Sequence, residues 1–158
     1  MNRETETLLI ALSETPRLLK ELITEIDPEL YKKKIIRDKW SIHEHATHLA
    51  VGDNYGFQKR LKIFSQQEKP TFEPLSGDNF DKLFFMELDL KKTVNDFFQI
   101  RQKTIELAKA FKANDWDKFA IHPEYKMYSP YIMLRHLLMH DHHHLYKIED
   151  MGLGIEHK

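Results

Sequence analysis

Five histidines lie within nine residues near the C-terminus, inside the segment MLRHLLMHDHHHLYKIEDM from Met133 to Met151. On a helix, where each residue adds about 100° of rotation, these five side chains point in different directions. Two of them, His140 and His144, fall on the stripe that also carries Leu137 and Ile148. The remaining three lie beside that stripe or opposite to it: His136, His142 and His143.

The spacing of His140 and His144 is one that could bind a metal ion. A His-x-x-x-His pair places two imidazoles on one helix face within reach of a single ion, as in zinc-binding helices. One histidine on an apolar face is usually a core residue, but two in successive turns double the cost of burying unpaired nitrogens. We therefore favour a metal pair over core histidines. The chain has no cysteine, so a metal must be bound by His, Asp or Glu.

A further histidine ligand is expected from an earlier segment, WSIHE, which begins at Trp40. Ser41 and Glu44 form the S-x-x-E capping box, which predicts that a helix begins here. Trp40 and His45 then occupy the two positions of a hydrophobic staple, which gives His45 a structural role. His48 has no such role. The helical wheel alone does not decide which of His45 and His48 points inward.

Composition limits the classes of protein and of partner. With 158 residues, 5 Gly and 6 Pro, and with helical periodicity throughout, the chain is expected to form a single all-α domain. The 24 Lys and Arg nearly balance the 25 Asp and Glu, so no nucleic-acid partner is expected. The start MNRETETLLI lacks a secretory pattern, and no apolar run reaches the roughly 20 residues needed to span a bilayer. We expect a cytoplasmic protein without membrane contact.

The apolar periodicity predicts four helices around the histidine segments. The first runs from about Glu4 to Ile26, where Pro16 should kink or split it, and the second starts after Ser41. The other predicted features are a polar loop at 65–79, a third helix from about Phe80 to Phe111 capped by Asp78, a structured loop from Asn114 to Tyr128, and a fourth helix that opens at Ser129-Pro130 and closes at Gly152. These elements predict a four-helix bundle with long loops after helices 2 and 3.

The order and spacing of these motifs resemble a known family, the DinB-like superfamily of helical bundles. The resemblance covers essentially the whole chain. It is carried by Trp40-Ser41, Glu44 and His48-Leu49-Ala50, by Trp116, His122-Pro123 and Tyr128-Ser129-Pro130, and by His140-Asp141-x-x-His144-Leu145-x-x-Ile148.

The resemblance implies that His48, His140 and His144 bind one divalent metal, which selects His48 over His45. Three imidazoles leave an open coordination position and suit zinc, nickel, cobalt or ferrous iron. The family includes transferases that use low-molecular-weight thiols such as bacillithiol and mycothiol, and metal-dependent hydrolases. The family is also often dimeric. The resemblance therefore implies a homodimer that acts on a small molecule. We slightly favour thiol transfer, because the sequence offers no well-placed Glu base.

Four further residues are candidates for a supporting role. Asp53 and Asp141 could orient a ligand histidine, although a surface salt bridge is the expected role of Asp141. Tyr55 and His122 could line the mouth of the site, or serve as packing and loop residues. The alternative function is a non-catalytic bundle that binds a metal or small ligand. A di-iron bundle is disfavoured because no Glu-x-x-His repeat is present.

Overall fold

The structure, a computed structural model, describes residues 1–75, 80–81 and 83–155. Most of the described residues are helical. The helices are α1 (Arg3–Glu25), α2 (Ile42–Val51), α3 (Gln58–Gln66), α4 (Phe84–Glu87), α5 (Leu90–Lys109) and α6 (Pro130–Leu153), and the strands are β1 (Ala120–His122) and β2 (Tyr125–Tyr128).

The long helices form the predicted four-helix bundle. Helix α1 packs against both α5 and α6, and α2 also packs against both α5 and α6. The helices therefore follow one another around the bundle in the order α1, α5, α2, α6. Two clusters of buried apolar side chains fill the interior, one around Leu12 and Leu137 and the other around Leu49 and Ile148.

The second helix begins where the capping box predicts. The Ser41 hydroxyl accepts a hydrogen bond from the Glu44 backbone N–H at 3.3 Å, and the Glu44 carboxylate accepts one from the Ser41 N–H at 2.6 Å. The helix then continues from α2 into α3 through a π-helical segment, Gly52–Phe57. Here the backbone N–H of Gln58 donates to the carbonyl of Asp53. Short π-helical insertions occur often at functional sites.

The predicted third helix is wrong at its N-terminus. Instead of one helix from Phe80, the structure has the short α4, an extended break at Leu88, and then α5. Asp89 caps α5 by accepting a hydrogen bond from the Lys92 N–H at 2.7 Å. The expected cap, Asp78, lies outside the described residues.

The segment predicted as a structured loop before the last helix contains regular structure. It forms a 3₁₀ helix, Ala113–Asp117, followed by the antiparallel hairpin of β1 and β2. Backbone hydrogen bonds from Phe72 to Ile121 and from Ile121 to Pro70 attach the loop after α3 to this hairpin. The loop and the hairpin therefore support each other.

Two helix predictions need correction: α1 is not split at Pro16, and α6 does not end at Gly152. Pro16 lies inside a continuous α1. Gly152 does not close α6, which continues to Leu153 and is capped by Gly154. A Cβ at Gly152 would lie 2.3 Å from the Cδ1 of Ile26, so this glycine permits close packing of α6 on the end of α1. In the described ranges no helix is long and apolar enough to cross a membrane.

Candidate metal centre

Three histidines from two helices meet at one point of the bundle interior. His48 comes from α2, and His140 and His144 come from successive turns of α6. One ring nitrogen of each lies within 4.8 Å of the other two, and the Nε2 atoms of His48 and His140 are 2.9 Å apart. His48 and His144 are only 8% exposed. The structure thus brings together the three residues that the sequence resemblance selects as ligands.

An aromatic wall surrounds this cluster. The indole of Trp40 contacts the rings of His48 and His144 at centroid distances of 4.8 and 5.9 Å, and Phe85 contacts both Trp40 and His48. The predicted contact between Trp40 and His45 is present at 5.5 Å. These rings limit the access of water to the histidine nitrogens.

His45 also approaches the cluster, which explains why the helical wheel did not separate it from His48. Its Nδ1 lies 2.7 Å from the Nδ1 of His144, within hydrogen-bonding distance. Engaging Nδ1 leaves Nε2 of His144 for an ion. His48 faces His140, whereas His45 lies behind His144 and fixes its ring.

Burial favours the uncharged form of these imidazoles. It lowers the pKa of His48 to about 3, with a further contribution from the neighbouring His140. Burial, followed by the charge of His143, lowers the pKa of His45 to about 4. The pKa of His144 is also lowered, first by burial and then by the adjacent histidines. Neutral imidazole is the form that binds a metal ion, so the cluster suits a cation at neutral pH.

The prediction of a surface salt bridge for Asp141 is wrong, because this carboxylate is completely buried. Its Oδ2 accepts hydrogen bonds from Arg101 Nη1 at 2.6 Å and from Thr15 Oγ1 at 2.8 Å. Its other oxygen, Oδ1, lies 3.8 Å from Nδ1 of His140. Neither of these two atoms has a hydrogen-bond partner among the described residues. A small rotation would let the His140 ring donate to Asp141, which is how carboxylates orient metal-binding histidines.

Asp53 belongs to the same buried network. It lies in the π-helical segment, and its two oxygens accept hydrogen bonds from Arg101 Nε and Thr104 Oγ1, each at 2.6 Å. Burial raises the pKa of Asp53 despite Arg101. Burial also disfavours the charged form of Asp141, but Arg101 and His140 together outweigh it and lower the pKa of that carboxyl. One guanidinium on α5 therefore joins α2 to α6 behind the histidines.

Arg101 is the residue at this site that the sequence analysis missed. It is 1% exposed. It lies on the apolar stripe of α5, seven residues after Val94 and four before Ile105. A charged residue in the middle of an apolar stripe was the available signal, since arginine is almost never fully buried without a partner.

The two aromatic candidates for the mouth of the site have different surroundings. Tyr55 is 64% exposed and lines a cavity of about 150 Å³ together with His48, His140 and Gly52. His122 is packed against Tyr128 in the hairpin, with ring centroids 4.5 Å apart, and does not line this cavity. The structure therefore places Tyr55 at the mouth and His122 elsewhere.

A second cavity reaches the cluster from the side of His144. It has a volume of about 540 Å³ and is lined by Trp40, His45 and His144, with Lys39 and Lys147 on its walls. The histidines thus lie between two cavities. A bound ion would be accessible to a small molecule but shielded by the surrounding helices.

A four-helix bundle with three histidines from α2 and α6 defines the class of this protein. The sequence pattern of the DinB superfamily matches residues 11–148, so the chain belongs to that superfamily. The prediction from the sequence motifs is confirmed at the level of family and fold.

Among solved structures, the chain is similar to YfiT from Bacillus subtilis, with a TM-score of 0.82 and 17% sequence identity. The alignment covers 96% of this chain and 87% of YfiT. YfiT is described as a probable metal-dependent hydrolase with an unusual four-helix bundle topology. At this identity the likeness shows the shared fold. The comparison with curated proteins gives no match.

Proposed function

We propose that this protein is a metal-dependent enzyme that acts on a small molecule, with one divalent ion bound by His48, His140 and His144. The observation that carries the proposal is the convergence of one ring nitrogen from each histidine within 4.8 Å. Zinc, nickel, cobalt and ferrous iron all suit three imidazoles. When bound, such an ion supplies Lewis acidity and keeps a coordinated water or thiol deprotonated.

Transfer of a low-molecular-weight thiol to an electrophile is the reaction that we favour. A metal acidifies its bound water only to near neutral pH, so hydrolysis gains from a general base beside the attacking water, whereas a coordinated thiol is deprotonated outright. Both carboxylates near the cluster, Asp53 and Asp141, are instead held by Arg101. Thiol transfer does not need such a base. The cavity bordered by Gly52 and Tyr55 is where the electrophile would bind.

Hydrolysis of a small substrate is the second candidate, and the similarity to YfiT, which is described as a probable metal-dependent hydrolase, favours it. In this case the lysines beside the second cavity, Lys39 and Lys147, which outnumber its one carboxylate, Asp38, would attract an anionic substrate. These lysines would raise the local concentration of the substrate by electrostatic attraction and would take no part in breaking its bond.

The first experiment is to measure metal content by mass spectrometry on protein purified without a histidine tag. Near one ion per chain is expected in the wild type, with loss in His48→Ala, His140→Ala and His144→Ala. His142→Ala is the matched control, because His142 is an exposed histidine on the same helix. Full metal content in any of the three ligand variants would refute the assigned ligand set.

Activity assays then separate the candidate reactions. We expect the loaded protein to conjugate bacillithiol or mycothiol to a chlorodinitrobenzene, and the His140→Ala variant to be inactive. Turnover of a nitrophenyl ester without any thiol would support hydrolysis instead. Metal binding with neither activity would support the alternative, a non-catalytic binding bundle.

We further propose a homodimer, which rests on the family resemblance, and we retain as a proposal the cytoplasmic location expected from the sequence. Light scattering during gel filtration should give twice the mass of one chain. The mass of a single chain would refute the dimer.

A further inference from the structure

An open cavity of the described structure lies away from the three histidines of the candidate metal centre. It has a volume of about 650 Å³ and is bordered by the second half of α1, the connector at 28–32, the start of α2 and the chain at 88–95 that begins α5. None of His48, His140 and His144 lines it. The volume falls in the range of small-molecule sites, about 300–1,000 Å³.

A buried histidine in the wall of this cavity has an unused hydrogen-bonding atom. His43 is 3% exposed, and its Nε2 has no hydrogen-bond partner in the described part of the chain. Burial lowers the pKa of His43, and the charge of Lys32 lowers it further. The ring is therefore neutral at physiological pH and carries one N–H donor. Because Nε2 itself is buried from solvent, the ring contributes an uncharged part of the cavity wall rather than a contact to a ligand.

The charges around the cavity are mainly positive. Lys20, Lys32 and Lys91 line it, against one carboxylate, Asp89. Asp89 is already engaged as the cap of α5. The Nζ of Lys32 lies 3.1 Å from the carbonyl of Met86, which holds this ammonium on the side of the cavity formed by the chain before α5.

Apolar side chains form the rest of the lining. Val94 is 4% exposed, and Ile23, Tyr31 and Leu90 are partly buried around it. An apolar wall with a few polar groups at one side is typical of sites for small amphipathic molecules.

We propose that this cavity is a second ligand site, which binds a small amphipathic anion such as a carboxylate with an apolar tail. The carboxylate accepts hydrogen bonds from the Lys32 ammonium. The tail packs against Tyr31 and Val94. The site is independent of the metal centre and of the proposed reaction.

The test is calorimetric titration of the full chain with decanoate, decanol and decyltrimethylammonium, which share a tail and differ in charge. One decanoate per chain should bind, at least tenfold more tightly than the other two, because of the three probes only decanoate can accept a charge-assisted hydrogen bond from Lys32. Lys32→Gln, which changes an exposed side chain, should weaken decanoate binding about tenfold. Val94→Trp, which fills the cavity, should abolish it.

Two control variants locate the ligand. Lys62→Gln removes an exposed lysine of α3 that does not line the cavity, and should bind decanoate like the wild type. His140→Ala should also bind normally. Equal binding of decanol and decanoate, loss of binding in His140→Ala, or normal binding in Lys32→Gln would each overturn the proposal. Circular dichroism checks that Val94→Trp is folded; if it is not, Lys32→Gln decides.

Discussion

Replacing Arg101 with methionine tests whether the buried ionic network holds the bundle together. The guanidinium donates to Asp53 and Asp141 at 2.6 Å each, and also to the Leu12 carbonyl at 3.0 Å. Methionine keeps much of the apolar volume of arginine but provides no charge and no donors. The variant would therefore leave two carboxylates in the interior without a cation.

The expected loss is large compared with the stability of a domain of this size. Removing one partner of a buried ion pair costs about 3–5 kcal/mol, against a typical total of about 5–15 kcal/mol. With a urea dependence of about 2 kcal/mol per molar, a loss of about 4 kcal/mol lowers the unfolding midpoint by about 2 M. The sign of the pH dependence also follows. Without Arg101, burial raises the folded-state pKa of both carboxyls, so the variant's deficit should shrink as the pH falls from about 7 to 5.

The assay is urea unfolding of metal-free protein, followed by circular dichroism. The matched control is the triple variant Arg101→Met, Asp53→Asn, Asp141→Asn, which removes all three charges and should be more stable than Arg101→Met alone. A loss below about 1 kcal/mol in Arg101→Met, or no recovery in the triple variant, would refute the view that the buried charges depend on one another.

Three other substitutions have defined expectations. Asp141→Asn should weaken metal binding about 10–100-fold in chelator competition, because Asp141 Oδ1 faces His140 Nδ1; unchanged affinity would exclude an orienting role. Glu44→Gln should reduce the loss of thermal stability that the wild type shows as the pH falls. Burial opposes ionisation of Glu44, but its hydrogen bonds outweigh this and hold its pKa below 4.5, so wild-type stability is lost as the pH falls through that pKa; identical profiles in thermal scans would contradict this. Gly152→Ala should cost about 1–3 kcal/mol by overpacking against Ile26. In an Ile26→Ala background, which removes the atoms that the new Cβ would meet, the same substitution should cost less. A stabilised Gly152→Ala variant would show that the new methyl group meets no steric conflict.

The helices could be predicted from sequence because local signals specify them. The Ser41 and Glu44 capping box begins the second helix, and the periodic apolar residues outline the bundle. The start of α5 was missed because a stretch of apolar residues before Asp89 continues the helical pattern although the backbone breaks at Leu88. The π-helical segment was missed because it spans only six residues, Gly52–Phe57, and the shift in phase that it introduces is hard to recognise in so short a stretch of apolar periodicity.

Site residues that lie close together in the sequence could be predicted from their spacing. Site residues that only tertiary contacts bring together were harder to predict. His140 and His144 share a helix face, which their spacing alone indicates. His48 needed the family resemblance, because His45 approaches the same cluster. The burial of Asp141 could not be read from α6, since it depends on a cation contributed by α5.

The network centred on Arg101 shows how α5, which carries no candidate ligand, can affect the geometry of the candidate metal centre. Asp53 lies five residues after His48, and Asp141 directly follows His140. Because Arg101 bonds both carboxylates, it ties the π-helical segment that follows α2 to α6, close to where the His48 and His140 nitrogens are 2.9 Å apart. A buried ion pair is weak evidence for stability, but this one constrains the distance between the proposed ligands. Arg101→Met should therefore lower metal affinity even in the fraction of molecules that remains folded. Equal metal affinity in that fraction would show that Arg101 contributes to stability but not to the geometry of the site.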